Sequence, residues 1–275
     1  MSKFIKLILA GNIFIGLCAT MLCFQTFVFF DRKASYPLLF FVFFATLALY
    51  NLHSIVALAG QKTKPHPRYR IVYEHLNAVR AITLLAIIGM AICAIALPIS
   101  LLLQIVLISV PSLLYILPII AGKRLRDFSF LKIFMLAIIW ALVTVLLPFD
   151  YFGNDYDSRL GLLLVERAIF VFAIAIAFDI RDMEFDKTLE VKTIPIAVGK
   201  FSSFLLAGIL LISWAILVHF IYLPLTAILL NLIALLSIGL IYGAQKERPV
   251  CYYQILLDGT LLLQALIVSI TAFNK

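Results

Sequence analysis

The feature that most constrains this chain is the length of its apolar runs. Nine segments, at about 4–30, 36–59, 79–97, 100–121, 129–148, 162–180, 203–222, 224–243 and 251–272, are long and apolar enough to cross a bilayer, which takes roughly 20 residues of helix. Two of the hairpins turn abruptly, at Leu97-Pro98-Ile99-Ser100 and at Tyr222-Leu223-Pro224. The first run is far longer than the core of a signal peptide, and no small-x-small cleavage site follows it, so it reads as an anchor. The sequence therefore predicts an all-α integral membrane protein, a bundle of about nine transmembrane helices. With no internal repeat and no low-complexity linker, residues 1–275 read as one domain.

Composition agrees. Apolar residues make up 64% of the chain, charged residues only 13%, and the mean hydropathy is +1.13. A soluble domain carries about 25% charge. A water-soluble enzyme, a disordered chain and a nucleic-acid module are all excluded. Cys18, Cys23, Cys93 and Cys251 lie in or beside apolar stretches without metal-site spacing, and read as small core residues.

The net charge of +8 has a membrane explanation. With the N-terminus placed in the cytoplasm, seventeen Lys and Arg fall on the inner side. Five (Arg32, Lys33, Arg159, Arg167 and Lys275) fall outside. That asymmetry predicts N-in, C-out, in a membrane such as a bacterial inner membrane. It accounts for the charge without nucleic acid as a partner. The two long inner loops are about 60–78 and 181–202.

Chemistry concentrates at Asp179-Ile-Arg-Asp182-Met-Glu-Phe-Asp186, which continues the sixth span into the inner loop. At about 100° per residue, Asp182 lies about 60° from Asp179, while Asp186 and Glu190 lie about 20° from it. Four carboxylates thus share a stripe, with Arg181 and Glu184 pointing elsewhere. Like charges so spaced repel. A divalent cation would offset the repulsion, and oxygen ligands suit magnesium. The other reading is a solvated acidic helix end partnered by Arg181 and Lys187. Asp179 follows the apolar run Ala173–Phe178, and an acid at the hydrocarbon edge marks a functional site by default. Pro195 disfavours helix at Ile194 and is expected to end the extension there, with the next span starting after Gly199.

This stripe, followed by Lys192-Thr193-Ile194-Pro195 and Gly199, resembles the second aspartate motif of the UbiA superfamily of membrane prenyltransferases. The nine-span count and the inner position of the long loops are similar too. Tyr115, Pro118 and Lys123-Arg124 resemble the family's tyrosine and basic pair that contact diphosphate. Lys64-Pro65-His66-Pro67-Arg68 resembles its Arg-Pro-x-Pro stretch. Both can also be read plainly, as a positive-inside anchor and a rigid basic loop. The chain departs from the family at the first aspartate motif. Its N-D-x-x-D-x-x-x-D would begin at Asn51, but Leu52, Ile55 and Ala59 stand where the three aspartates belong. Asn51 and His53 remain there as polar groups.

The resemblance implies magnesium at Asp179, Asp182 and Asp186, with fewer ions than is usual for the family. It implies diphosphate contacts from Asn51, His53, Lys62, Arg68, Lys123 and Arg124, with His53 also readable as a bridge to an acid of the stripe or as a hydrogen-bonded core histidine. Asp258, about seven residues into the last span, is the other intramembrane acid. With Asp182 it is the candidate for chemistry. It is expected to face the bundle interior at the level of Asn51 and Asp179. Glu166-Arg167 and the acids of 150–157 lie on the outer side and are given no chemistry. The activity implied is transfer or cyclisation of a prenyl group from a prenyl diphosphate to a lipophilic acceptor within the membrane. The alternative is a non-catalytic protein of the same shape that binds a lipid or a partner subunit. A transporter would call for broken helix pairs or an internal repeat, and neither is read here.

Overall fold

The computed structural model describes residues 2–59, 69–117, 124–125, 128, 130–153, 157–188 and 190–272. Among these residues all regular structure is helical: α1 (Lys3–Ala10), α2 (Ile13–Phe29), α3 (Tyr36–Ala59), α4 (Arg70–Glu74), α5 (Leu76–Ile95) and α6 (Ile99–Ile116). They continue as α7 (Leu131–Asp150), α8 (Arg159–Thr188), α9 (Ile194–Val198), α10 (Lys200–Ile221), α11 (Pro224–Gly243) and α12 (Tyr252–Ala272). Among the described residues eight helices are long and apolar enough to cross a membrane, and α1 with α2 forms a bent pair that passes the same test only when its two halves are taken together. The protein is an integral membrane protein.

The first span is not the continuous helix expected over 4–30. It breaks at Gly11-Asn12, and the two halves meet at 63°. Asn12 takes the left-handed conformation at φ 55°, which Asn tolerates better than other residues with a side chain. Its amide Nδ2 donates to Asn51 Oδ1 at 2.9 Å, so the break is fastened to α3.

Helices that are apolar on every side place their polar groups inward and their remaining apolar surface toward lipid. Accordingly, large side chains such as Leu107, Phe220 and Leu235 are exposed, while the buried core is continuous through α2, α3, α7, α8, α10, α11 and α12. The closest approaches use missing side chains. A Cβ on Gly89 would stand 2.7 Å from the Phe44 ring, which lets α5 lie against α3.

Prolines and wide turns shape two spans. In α7, Pro148 has no N–H for the Thr144 carbonyl four residues earlier. The helix widens to π geometry over Leu142–Leu146, and Thr26 Oγ1 of α2 donates to that carbonyl at 2.6 Å. In α12 a π segment over Tyr252–Leu257 immediately precedes Asp258.

The end of the acidic helix differs from expectation. α8 stops at Thr188, and Glu190 has a positive φ of 55° and is exposed. Glu190 therefore does not extend the stripe. Ile194 opens α9, with Pro195 in its first turn, because a proline N–H is not needed there. Gly199, at φ 84°, makes the turn into α10.

In the half of the bundle away from Asp186, Glu166 and Arg167 are fully buried. Glu166 Oε1 accepts from Trp214 Nε1 at 2.7 Å and from Gln264 Nε2. Arg167 Nη1 donates to Thr144 Oγ1 at 2.9 Å. The pair joins α8 to α7, α10 and α12, a structural task that suits residues to which the sequence assigned no chemistry. Cys18 and Cys23 are buried, Cys93 and Cys251 are half-buried, and all four are free thiols.

Candidate functional site

The interior of the bundle holds a cavity of about 240 Å³. Its charged and polar wall is made by Asn12, His53, Tyr69, Lys132, Asp179, Arg181, Asp182, Gln254 and Asp258. Its apolar wall is made by Ile15, Leu136, Trp140, Val171, Ile174, Phe178 and Leu261, among others. Two acids of the stripe, the intramembrane acid of α12 and the histidine of α3 therefore share one chamber.

Asp179, Asp182 and Asp186 are 3%, 2% and 2% exposed, so the stripe is not a solvated helix end. Each carboxylate is met by a cation. Lys132 Nζ, in the first turn of α7, lies 2.7 Å from Asp179 Oδ1 and donates to Asp186 Oδ2 at 3.0 Å. Asp182 accepts two parallel bonds from Arg181, Nε to Oδ1 at 2.7 Å and Nη2 to Oδ2 at 3.0 Å. The Arg181 guanidinium also lies over the rings of Phe178, at 5.0 Å, and Tyr253, at 4.9 Å, a favourable cation–π arrangement. Arg181 does not point away from the stripe as its helical angle suggests. Its long side chain bends round to the next residue, Asp182. Lys187 is not a partner of the stripe, since it pairs with exposed Glu184.

This arrangement bears on magnesium. Among the described residues no group of three or more His, Cys, Asp or Glu is placed to hold a metal ion. The stripe carries three carboxylates, but at least one oxygen of each faces an ammonium or a guanidinium. The carboxylates as arranged do not fit a resident ion.

The remaining candidates are distributed as follows. His53 lines the cavity, whereas Asn51 does not. Asn51 is completely buried and accepts from Asn12. Asp258 is 8% exposed and opens onto the cavity, and Cys18 Sγ donates to its backbone carbonyl at 3.4 Å. The carboxylate makes no hydrogen bond or ion pair among the described residues, and it lines the same cavity as Arg181. Tyr115 closes α6 at the cavity, while Arg124 is half-buried and does not line it. Lys62, Lys64, His66, Arg68, Pro118 and Lys123 lie outside the described residues.

Sequence reasoning missed Lys132, Asn12 and the aromatic pair Tyr50 and Trp140, joined by a bond from Trp140 Nε1 to Tyr50 Oη at 3.1 Å. Lys132 carries a signal, being a cation at the start of an apolar run, but by sequence it is one of the seventeen inner-side Lys and Arg and reads as an anchor. Asn12 carries a fainter one, as the polar half of a Gly-Asn pair inside an apolar run.

The fold and the cavity define a helical membrane bundle that encloses a chamber lined by both charged and apolar side chains. The comparisons with known proteins agree. The model of the UbiA prenyltransferase family matches residues 59–255, well over half of the chain, and the chain belongs to that family. Among solved structures, a UbiA homologue from Archaeoglobus fulgidus bound to GPP and Mg²⁺ is similar at 13% identity. It covers 98% of this chain and 100% of its own, with a TM-score of 0.65. An apo UbiA homologue from Aeropyrum pernix K1 is similar at 13% identity, covering 94% and 96%, with a TM-score of 0.65. A digeranylgeranylglyceryl phosphate synthase matches at 17% identity over 100% of both chains, with a TM-score of 0.61. At these identities the likeness establishes the fold. No match is found among curated proteins.

Proposed function

We propose that this protein transfers a prenyl group from a prenyl diphosphate to a lipophilic acceptor, within a membrane in which its basic loops face the cytoplasm. The observation that carries this reading is that one cavity is lined both by charged side chains and by apolar and aromatic ones. A molecule with an anionic head and an isoprenoid tail fits both kinds of lining at once. The relatives crystallised with GPP or DMAPP together with Mg²⁺ support the substrate class.

In this reading Lys132 and Arg181 face the diphosphate, and Asp182 orients the guanidinium through its paired bonds. Breaking the allylic carbon–oxygen bond leaves diphosphate carrying the bonding electrons and a cationic prenyl fragment. Tyr50 and Trp140 are among the residues lining the space that fragment enters, and aromatic rings attract cations. The acceptor forms the new bond and loses a proton. Asp258, the cavity carboxylate without an ion pair, is placed to take it.

The test is incubation of purified protein with radiolabelled prenyl diphosphates of several chain lengths and extracted membrane lipids, followed by product analysis. A labelled lipid and released diphosphate are expected. No product with any donor favours the second reading, a family-shaped protein that binds a lipid or a partner subunit without transfer. One observation supports that reading. Asn51, all that is left at the start of the first aspartate motif, is turned into packing against Asn12 rather than into the cavity.

A further inference from the structure

We propose that Lys132 is a tethered cation standing where the acidic stripe would otherwise need a divalent ion. The inference rests on the reading that the cavity accepts a diphosphate, and it concerns how that anion's charge is met.

Asp179 and Asp186 are separated by seven residues, about 10 Å of helical rise. Yet one ammonium reaches both, at 2.7 and 3.0 Å. Lys132 Nζ therefore sits beside the middle of the stripe, at the level of Asp182. The position is built rather than accidental. Phe130, two residues before Lys132, donates its backbone N–H to Lys192 O at 3.0 Å. That bond ties the start of α7 to the segment that follows α8. Phe130 itself adopts a left-handed φ of 62°, an uncommon conformation for a bulky side chain. On the α8 side, Val191 N donates to Asp186 O at 3.0 Å, which fixes the helix end that carries Asp186. Lys132 is only 9% exposed.

An ammonium offers three donors but only one charge. It satisfies both carboxylates without the six-oxygen shell that magnesium demands. Lys132 also lines the cavity, so a phosphate oxygen among its charged side chains meets the same cation that holds the acids. With Arg181 on Asp182, every acid of the stripe is met by a cation of the chain itself, two positive charges against three negative ones. Removing the ammonium would leave two buried carboxylates facing each other, which is unfavourable unless a new cation or a proton arrives.

The test is metal uptake by the purified full-length chain in detergent, followed by electron paramagnetic resonance of added Mn²⁺ alone. Wild type and Asp186→Asn are expected to take up Mn²⁺ equally. Lys132→Met is expected to gain about one tightly held ion per chain, as two freed carboxylates permit. That ion should vanish when Asp186→Asn is added. A wild-type site that Asp186→Asn abolishes overturns the proposal, and this comparison stands even if Lys132→Met fails to fold. A folded Lys132→Met that gains no ion also overturns it.

A second measurement is geranyl diphosphate binding by calorimetry in EDTA. Wild type should bind. Lys132→Met should bind at least about tenfold more weakly, the loss of one charge-assisted hydrogen bond, and should recover when Mg²⁺ is added. Equal binding by the two proteins in EDTA counts against the proposal. If wild type binds no geranyl diphosphate with or without Mg²⁺, the proposed function fails, and the Mn²⁺ comparison still decides the role of Lys132.

Discussion

Asn12 and Asn51 are joined through their side-chain amides at 2.9 Å, across 39 residues of sequence. The bond fastens the kink between α1 and α2 to the part of α3 where the family's first aspartate motif would begin. Asn12 therefore does two things: it adopts a left-handed backbone and it supplies a buried donor.

The two roles separate by substitution. Asn12→Gly keeps the backbone conformation and loses the hydrogen bond, a cost of about 1 kcal/mol. Asn12→Leu loses the bond and also forces an unfavourable conformation, a further cost of about 1–2 kcal/mol. Thermal unfolding in detergent should rank wild type above Asn12→Gly and Asn12→Gly above Asn12→Leu. Equal midpoints for the two variants would mean the kink places no demand on residue 12.

Asp258→Asn keeps the shape of the side chain and removes its capacity to take a proton. The variant should unfold at the wild-type temperature and bind geranyl diphosphate within about twofold of wild type. Its product formation should fall about 100-fold or more, the usual loss when a proton acceptor is removed. Full activity in single-turnover assays would take Asp258 out of the chemistry.

Arg181→Lys preserves the charge but cannot make two parallel bonds to Asp182 or spread over Phe178 and Tyr253. Diphosphate affinity is expected to drop about tenfold, because a planar fork and a point charge are not equivalent. Unchanged affinity in calorimetry would show that the guanidinium does not face the diphosphate.

Arg167→Met leaves the Glu166 carboxylate buried without its neighbouring charge, at a cost of about 3–5 kcal/mol. Adding Glu166→Gln removes that charge while keeping an oxygen for Trp214 and Gln264. The double variant should therefore be more stable than Arg167→Met alone in denaturant titrations in mixed micelles. Additive losses would contradict this account of the pair.

Much of this architecture is legible in the sequence, because hydrocarbon thickness fixes how long an apolar helix must be. The spans from Tyr36 to Ala59 and from Pro224 to Gly243 are found where their hydropathy places them. The stripe at Asp179, Asp182 and Asp186 is equally legible, since helical spacing alone sets it. What meets the stripe is not legible. Lys132 lies 54 residues from Asp186 on another helix, and nothing local tells a cation that anchors a span from one that pairs with buried acids. The break at Asn12 depends on a single φ angle. The position of Asp258 follows a π segment that no periodicity announces. The loss of acids at Leu52, Ile55 and Ala59 could be read, but the turning of Asn51 toward Asn12 could not.

The carbonyl released by Pro148 has a consequence for the order in which the chain is made. Thr144 needs an outside donor as soon as α7 enters lipid. That donor, Thr26, belongs to a span synthesised more than a hundred residues earlier, so it is already in the bilayer when α7 arrives. Arg167 also finds its acceptors, Thr144 and the Leu22 carbonyl, among earlier spans. Glu166, its neighbour, depends on Trp214 and Gln264, which leave the ribosome later. Residues 166 and 167 thus divide assembly in time, with the arginine closing what has already been inserted and the glutamate waiting for the last helix.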